Sequence, residues 1–266
     1  MNNTFDFNRF YLLVRRQWIN FGKIYLISLA VVVGIIIAFY AFAVSDALEH
    51  MANWTQTLNF RIPLFLLLGL LFLTMMASNY FSDMGQKPKA IIELLIPASK
   101  LEKFLVSIVY TVLLAFASYI LVFYIIDLSF VSYLRGITTS TTTYTNAEGT
   151  LVVIDNLAYL FKSELPKQFG YFVFLPFLFN SLFLLGSLAF RNFHYIKTAI
   201  SLLVFIGCWI GIVVFIMERV TRDTIWVGGG FWQQEVNVLK AVCAVGVVLT
   251  LFFWSVSYLR LKEQEV

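Results

Sequence analysis

Charged side chains are scarce in this sequence, and those present avoid six long apolar runs. Only 13% of the 266 residues are Asp, Glu, Lys or Arg, whereas about a quarter is usual in soluble domains. The apolar share is 60% and the mean hydropathy is +0.83, which is more than one buried core explains. These values exclude most soluble folds and indicate a membrane protein with several spans.

The side chains that build catalytic and metal sites are also rare. Two cysteines, Cys208 and Cys243, exclude a disulfide framework, and the two histidines, His50 and His194, lie in predicted loops. There is no H-x-x-x-H pattern, no paired-Glu pattern and no G-x-x-x-x-G-K-[ST] loop. We therefore expect no catalytic residue, no metal ligand and no cofactor in this chain, and we do not expect it to be an enzyme by itself.

The apolar runs have the length of membrane-crossing helices, for which about 20 residues are needed. The predicted spans are residues 24–44, 62–81, 104–126, 169–190, 198–217 and 238–259. Lys240 is the one charged residue inside them, close enough to a helix end to reach the headgroups. The predicted fold is an all-α integral membrane protein, with a six-span domain over 24–259 and a tail at 260–266.

The distribution of Lys and Arg predicts the orientation of these spans. If the N-terminus is cytoplasmic, twelve of the 19 basic residues and six of the 15 acidic residues lie on the inner side. Both termini are therefore expected in the cytoplasm, in a multi-pass protein of the cell (inner) membrane. The basic character then reflects attraction to anionic lipid, and no nucleic-acid partner is expected.

Residues 1–23 have the pattern of an amphipathic helix lying in the membrane interface. Arg9 and Arg16 lie opposite an aromatic stripe that includes Trp18, and lipid is the expected partner of both faces. The apolar positions of that stripe are Phe7, Phe10, Tyr11, Val14, Trp18 and Phe21. The alternative is that this segment is only the lead-in to the first span.

The cytoplasmic segment between the second and third spans predicts a short helix followed by a helix start. Pro88 suits a first helical turn and Pro97 ends the helix, while Ile91, Ile92, Leu94 and Leu95 form its apolar side. Ser99 and Glu102 match the S-x-x-E capping box, so the third span should begin near Lys100. The apolar side fits either the membrane surface or a groove on a cytoplasmic partner.

Two external segments are longer than simple connectors. Residues 127–168 form a predicted external loop of 42 residues, with a flexible or strand-like Thr-rich run and then a possible helix over 151–161. Residues 218–237 combine aromatic side chains with three consecutive glycines. Interfacial anchoring explains their Trp residues, and the glycines also permit the segment to re-enter the membrane.

Polar and small residues inside the spans are candidates for helix packing or for a transport pathway. These are Ser78, Asn79, Asn180, Gly207 and Gly211. The hydroxyl and amide groups suit hydrogen bonds between helices, and Gly207-x-x-x-Gly211 suits a close helix contact. Packing inside the monomer is the expected use of this glycine pair, with a dimer contact as the alternative.

The whole pattern resembles the membrane subunit of an ATP-binding-cassette exporter of the second type, in the short form common in Bacteroidetes. The resemblance rests on the amphipathic N-terminal helix, six spans with both ends inside, and the run Glu93-Leu-Leu-Ile-Pro-Ala-Ser-Lys-Leu-Glu-Lys-Phe104. That run is similar to the E-L-L-x-L-P-A-S-x-x-E-K-F element of those permeases.

The resemblance implies that the loop between the second and third spans is a coupling helix. Its coupling residues would be Lys87, Lys89, Ile91, Glu93, Leu94 and Glu102. It also implies a separate ATPase that binds ATP and Mg, and pairing with a second permease as a homodimer or heterodimer. The chain would then export an amphiphilic or otherwise unknown substrate. The alternatives are a non-transporting scaffold or accessory protein and, with less support from charge-free spans, an ion-coupled secondary transporter.

Overall fold

The computed structural model describes residues 5–50, 58–82, 95–137, 141–145, 151–155, 157, 159–161, 167–190, 192–219 and 234–264. Within these residues it confirms an α-helical membrane-type architecture with six helices long and apolar enough to span a bilayer. The helices are α1 (Phe7–His50), α2 (Arg61–Tyr80), α3 (Lys100–Ile108), α4 (Ala115–Ile137), α5 (Phe174–Ala189), α6 (His194–Arg219) and α7 (Glu235–Gln264).

Two of these spans contain a local departure from α-helix. A π turn, Val109–Leu114, joins α3 to α4, so the third span runs without interruption over Lys100–Ile137. A 3-10 helix, Lys167–Phe172, precedes α5. Pro176 then lies in the first turn of α5, where its missing N–H is not needed.

The chain divides into two compact units, and several helices contribute residues to both. The first unit comprises Met1–Ile19, Leu73–Leu113 and Gln168–Val266. Its core contains Ala77, Phe104, Leu184, Leu188 and Leu261. Helix α7 packs mainly against α5, and α6 also packs against α5.

The second unit comprises Asn20–Phe72 and Leu114–Lys167. Its apolar cluster joins Val44, Leu58, Val131, Leu134 and Leu157. Aromatic rings continue this packing along the helices, with Phe65 stacked on Tyr119 and edge-on to Phe123. Tyr119 also donates a hydrogen bond of 2.7 Å to the Phe65 carbonyl.

The structure corrects two expectations for residues 127–168. The first eleven residues, 127–137, extend the third span as helix. The segment expected to be helical over 151–161 instead begins with strand β2 (Leu151–Asp155), which pairs antiparallel with β1 (Thr141–Thr145). The β-branched residues of Thr141–Thr145 and Leu151–Asp155 favour this pairing over helix.

The amphipathic N-terminal segment is continuous with the first span, because α1 runs unbroken from Phe7 to His50. Phe7, Tyr11 and Trp18 are exposed, as a lipid-facing stripe requires. Phe21 of the predicted stripe is buried. The face that this segment can present to lipid is therefore narrower than the helical wheel indicates, because Phe21 of the aromatic stripe packs against protein.

Gly186 permits a close approach between α5 and α6. The sequence predicts a close helix contact at Gly207 and Gly211 instead. A Cβ at Gly186 would overlap the Thr198 side chain of α6, whereas one at Gly207 would meet nothing within 4 Å. We expect Gly186→Ala to lower the free energy of unfolding by about 1–3 kcal/mol. The matched Gly207→Ala variant should be neutral or slightly stabilising, because alanine favours helix. Thermal unfolding in detergent measures both, and equal melting temperatures would contradict this packing.

Candidate functional site at Glu102

The predicted coupling loop is only partly within the described residues. Lys87, Lys89, Ile91, Glu93 and Leu94 lie outside them. Glu102, the remaining predicted coupling residue, lies in the first turn of α3 and is fully buried. A buried carboxylate requires hydrogen-bond or ionic partners. The partners of Glu102 therefore identify the segments that meet beside this loop.

Glu102 and Ser99 form the capping box that the sequence predicts. The Glu102 backbone N–H donates to Ser99 Oγ at 3.2 Å, and the Ser99 N–H donates to Glu102 Oε2 at 2.8 Å. Helix α3 begins at Lys100, as expected. The reciprocal bonds satisfy two backbone donors at the helix start.

The second oxygen of Glu102 holds the beginning of the chain. Oε1 accepts a hydrogen bond of 2.8 Å from the Asp6 backbone N–H and lies 3.3 Å from a guanidinium nitrogen of Arg9. Arg9 was predicted to face lipid phosphates, and the structure gives it this carboxylate as a partner instead. One side chain therefore connects the start of α1 to the start of α3.

A second contact joins α1 to the third span. The Tyr110 hydroxyl, on the π turn, donates to the Val14 carbonyl at 2.7 Å. The Tyr110 ring stacks on Trp18 with a centroid distance of 6.4 Å. Trp18 thus contacts the third span with one side while remaining partly exposed. Arg16, also predicted for this helix, is half-buried.

The start of α3 also contacts the end of α7. Lys100 Nζ donates to the Lys262 carbonyl at 3.3 Å, and the Phe104 ring lies edge-on to Tyr258 at 5.7 Å. A lysine at a helix C-terminus suits the negative end of its dipole. The first and last spans therefore both meet the short stretch that follows the predicted coupling loop.

Asn180 of the fourth span makes a buried polar contact with the π turn. Asn180 Nδ2 donates to the Thr111 carbonyl at 2.9 Å, and the Thr111 hydroxyl donates to the Ser107 carbonyl at 2.8 Å. A π turn displaces the backbone from the α-helical bonding pattern. Asn180 supplies a donor there and joins α5 to the third span.

The other residues predicted for helix packing or a pathway do not converge on one site. Ser78 is buried and Asn79 is exposed. Within the described residues, nothing lies within 4 Å of a Cβ placed at Gly207 or Gly211. This does not match the expected packing of that glycine pair inside the monomer, since α6 is exposed along nearly all its apolar length.

Sequence reasoning missed a buried ion pair in the second unit. Arg61 and Asp127 were placed in loops at span ends, yet their side chains are 0% and 2% exposed and lie 3.1 Å apart. Tyr40 donates to the same carboxylate oxygen at 2.6 Å. The sequence feature that could have indicated this pair is the position of the two charges. Arg61 directly precedes the second apolar run, and Asp127 directly follows the third.

Among the described residues, no group of three His, Cys, Asp or Glu side chains could hold a metal ion. No protein-family model, curated protein or solved structure gives a significant match to this chain. Within the described residues, Glu102 connects the start of α1 to the start of α3 through the Asp6 and Ser99 amides and the Arg9 guanidinium.

Proposed function

We propose that this chain is the membrane subunit of an ATP-binding-cassette exporter, driven by ATP hydrolysis in a separate cytoplasmic ATPase. The observation that carries the proposal is Glu102. It is the last of the predicted coupling residues and binds the start of α1 and the start of α3 with one buried carboxylate. A force on the loop would therefore reach two spans together.

The surrounding contacts extend this connection to the other spans of the first unit. Lys100 and Phe104 meet α7, and Asn180 connects α5 to the π turn. Conformational change in packed helices proceeds by small discrete shifts at such contacts. The proposed ATPase would bias these shifts by docking differently in its ATP-bound and ATP-free states.

The remaining assignments belong to the same proposal. The chain would lie in the cell (inner) membrane with both termini in the cytoplasm, and it would pair with a second permease of its own or another kind. Its substrate would be amphiphilic or of another class that the sequence does not identify. ATP and Mg would bind to the partner ATPase alone.

The apolar side of the coupling loop supplies the test. We expect Ile91→Asp with Leu94→Asp to abolish co-purification of an ATPase subunit, because two charges would enter an apolar docking groove. Leu151→Asp is the matched control, since Leu151 lies on β2 and is exposed. Affinity purification through this chain, followed by mass spectrometry for a subunit carrying G-x-x-x-x-G-K-[ST], measures the outcome.

Absence of such a subunit from the wild-type preparation would overturn the proposal and favour a scaffold or accessory protein. Equal recovery from the wild type and the loop variant would overturn the docking assignment. Transport that persists without ATP and collapses with an uncoupler would indicate an ion-coupled transporter instead.

A further inference from the structure

The Arg61–Asp127 pair lies beside a short segment that packs onto two helices and ends, in its described part, at the start of a π turn at residues 160–161. This segment, here called the strap, consists of residues 157 and 159–161 and follows the β1–β2 hairpin. Leu157 and Leu160 are fully buried. The Phe161 ring packs edge-on against Phe65 of α2, with centroids 5.4 Å apart, and lies 6.0 Å from the Tyr124 ring of α4.

The position of these rings sets the depth of the strap. Phe65 is the fifth residue of α2, about 6 Å along the axis from Arg61 at a rise of 1.5 Å per residue. Tyr124 lies inside the apolar run predicted as the third span. A segment that contacts both rings therefore reaches into the apolar part of the second unit, beyond the first residue of α2.

Irregular backbone, and the first N–H groups of a helical turn, need hydrogen-bond partners from elsewhere in the protein at membrane depth, because hydrocarbon offers none. Charged side chains supply them here. The Leu160 N–H donates to Asp127 Oδ2 at 3.1 Å, and Arg135 donates to the Leu157 carbonyl through two nitrogens at 3.0 and 2.9 Å. The Arg135 guanidinium also lies over the Tyr159 ring, 4.6 Å from its centroid.

The two oxygens of the Asp127 carboxylate have different partners, since Oδ2 binds the strap and Oδ1 binds two side chains. Arg61 and Tyr40 both donate to Oδ1, and Arg61 Nε donates to the Leu58 carbonyl at 3.2 Å. Burying an ion pair is costly, and its best-attested benefit is to fix a register or operate a switch. In this chain the pair fixes the strap between α2 and α4.

We propose that the strap re-enters the membrane leaflet next to it and that Asp127, held by Arg61 and Tyr40, is the residue that keeps it there. Loss of this carboxylate would let the strap leave its apolar site and expose Leu160 to water. This proposal does not depend on the exporter assignment, since it concerns only how one loop meets the membrane and what holds it there.

The test uses full-length protein in nanodiscs, where both membrane faces are accessible, with Cys208→Ala and Cys243→Ala as background. Leu160→Cys should react with a water-soluble maleimide at least tenfold more slowly than Leu151→Cys, the exposed control. A spin label on Phe161→Cys should be reached by oxygen in preference to a nickel chelate, and a label on Leu151→Cys should show the reverse.

The role of Asp127 is tested by adding Arg61→Met with Asp127→Leu, which removes both charges together. The Leu160→Cys thiol should then react at least tenfold faster, and the Leu151→Cys rate should not change. Arg135→Met, at a half-buried residue, is the milder variant for the case where the double replacement does not fold, and it should also accelerate labelling.

Fast labelling of Leu160→Cys in the parent, or nickel access to position 161, overturns re-entry. Unchanged labelling in every folded variant of Arg61, Asp127 and Arg135 overturns the role of Asp127.

Discussion

Replacing Asp127 alone by leucine should destabilise the protein strongly, because it removes the buried carboxylate that lies 3.1 Å from the buried Arg61 guanidinium. Removal of one partner from a buried ion pair costs about 3–5 kcal/mol, and Arg61 is fully buried. Arg61→Met should have a comparable effect by leaving the Asp127 charge without its cation. These are the largest stability losses that we expect from single substitutions.

The pair should show strong coupling in a double-mutant cycle. The loss for Arg61→Met with Asp127→Leu should be smaller than the sum of the single losses by about 2 kcal/mol or more, since the double variant buries no unpaired charge. Tyr40 and the Leu160 N–H would still lack their acceptor, so recovery should be incomplete.

The matched control for this cycle is an exposed pair. Arg260 and Glu263 lie 3.2 Å apart on α7 with more than half of each side chain exposed. Replacing them by methionine and leucine should give nearly additive changes below about 1 kcal/mol. Chemical unfolding in mixed micelles measures both cycles, and additive changes at Arg61 and Asp127 would contradict the inferred coupling.

Replacing Glu102 by alanine should uncouple the chain from its proposed ATPase. The change removes the acceptor for the Asp6 and Ser99 amides and the partner of Arg9. Loss of the cap alone costs about 1 kcal/mol, and the buried donors add about 1–3 kcal/mol. The start of α1 should therefore separate from the start of α3.

The expected functional result is at least a tenfold loss of ATP hydrolysis by the co-purified complex, with the ATPase subunit still bound. Hydrogen exchange should accelerate at the Asp6 and Ser99 amides in the same variant, since both donate to the Glu102 carboxylate. Glu263→Gln is the control, since it removes an exposed carboxylate at the end of α7 and should change neither readout. Unaltered hydrolysis in a variant with accelerated exchange would show that this contact does not transmit movement.

The sequence predicts the six spans because long apolar runs are a local property. Four of the predicted spans end within five residues of the corresponding helix ends and the first ends six residues before His50, while the capping box fixes the start of α3 at Lys100. The third span ends eleven residues later than predicted. The single charge of Asp127 ends the apolar run although the helix continues to Ile137, so the apolar run underestimates the length of this helix.

The sequence does not predict the partners of single side chains. The burial of Asp127 depends on Tyr40, Arg61 and Leu160, which are distant along the chain. The glycine motif at Gly207 and Gly211 identifies a smooth surface but not what covers it, whereas Gly186 makes the close approach without a motif. Long-range packing decides both cases.

ATP hydrolysis by the wild-type complex, purified through this chain and reconstituted in nanodiscs, tests the proposed function most directly. We predict vanadate-sensitive hydrolysis in a preparation containing a G-x-x-x-x-G-K-[ST] subunit, and loss of that activity with Ile91→Asp and Leu94→Asp while this chain is recovered in full. A wild-type preparation with no such subunit and no hydrolysis would contradict the proposal that this chain is a permease driven by a separate ATPase.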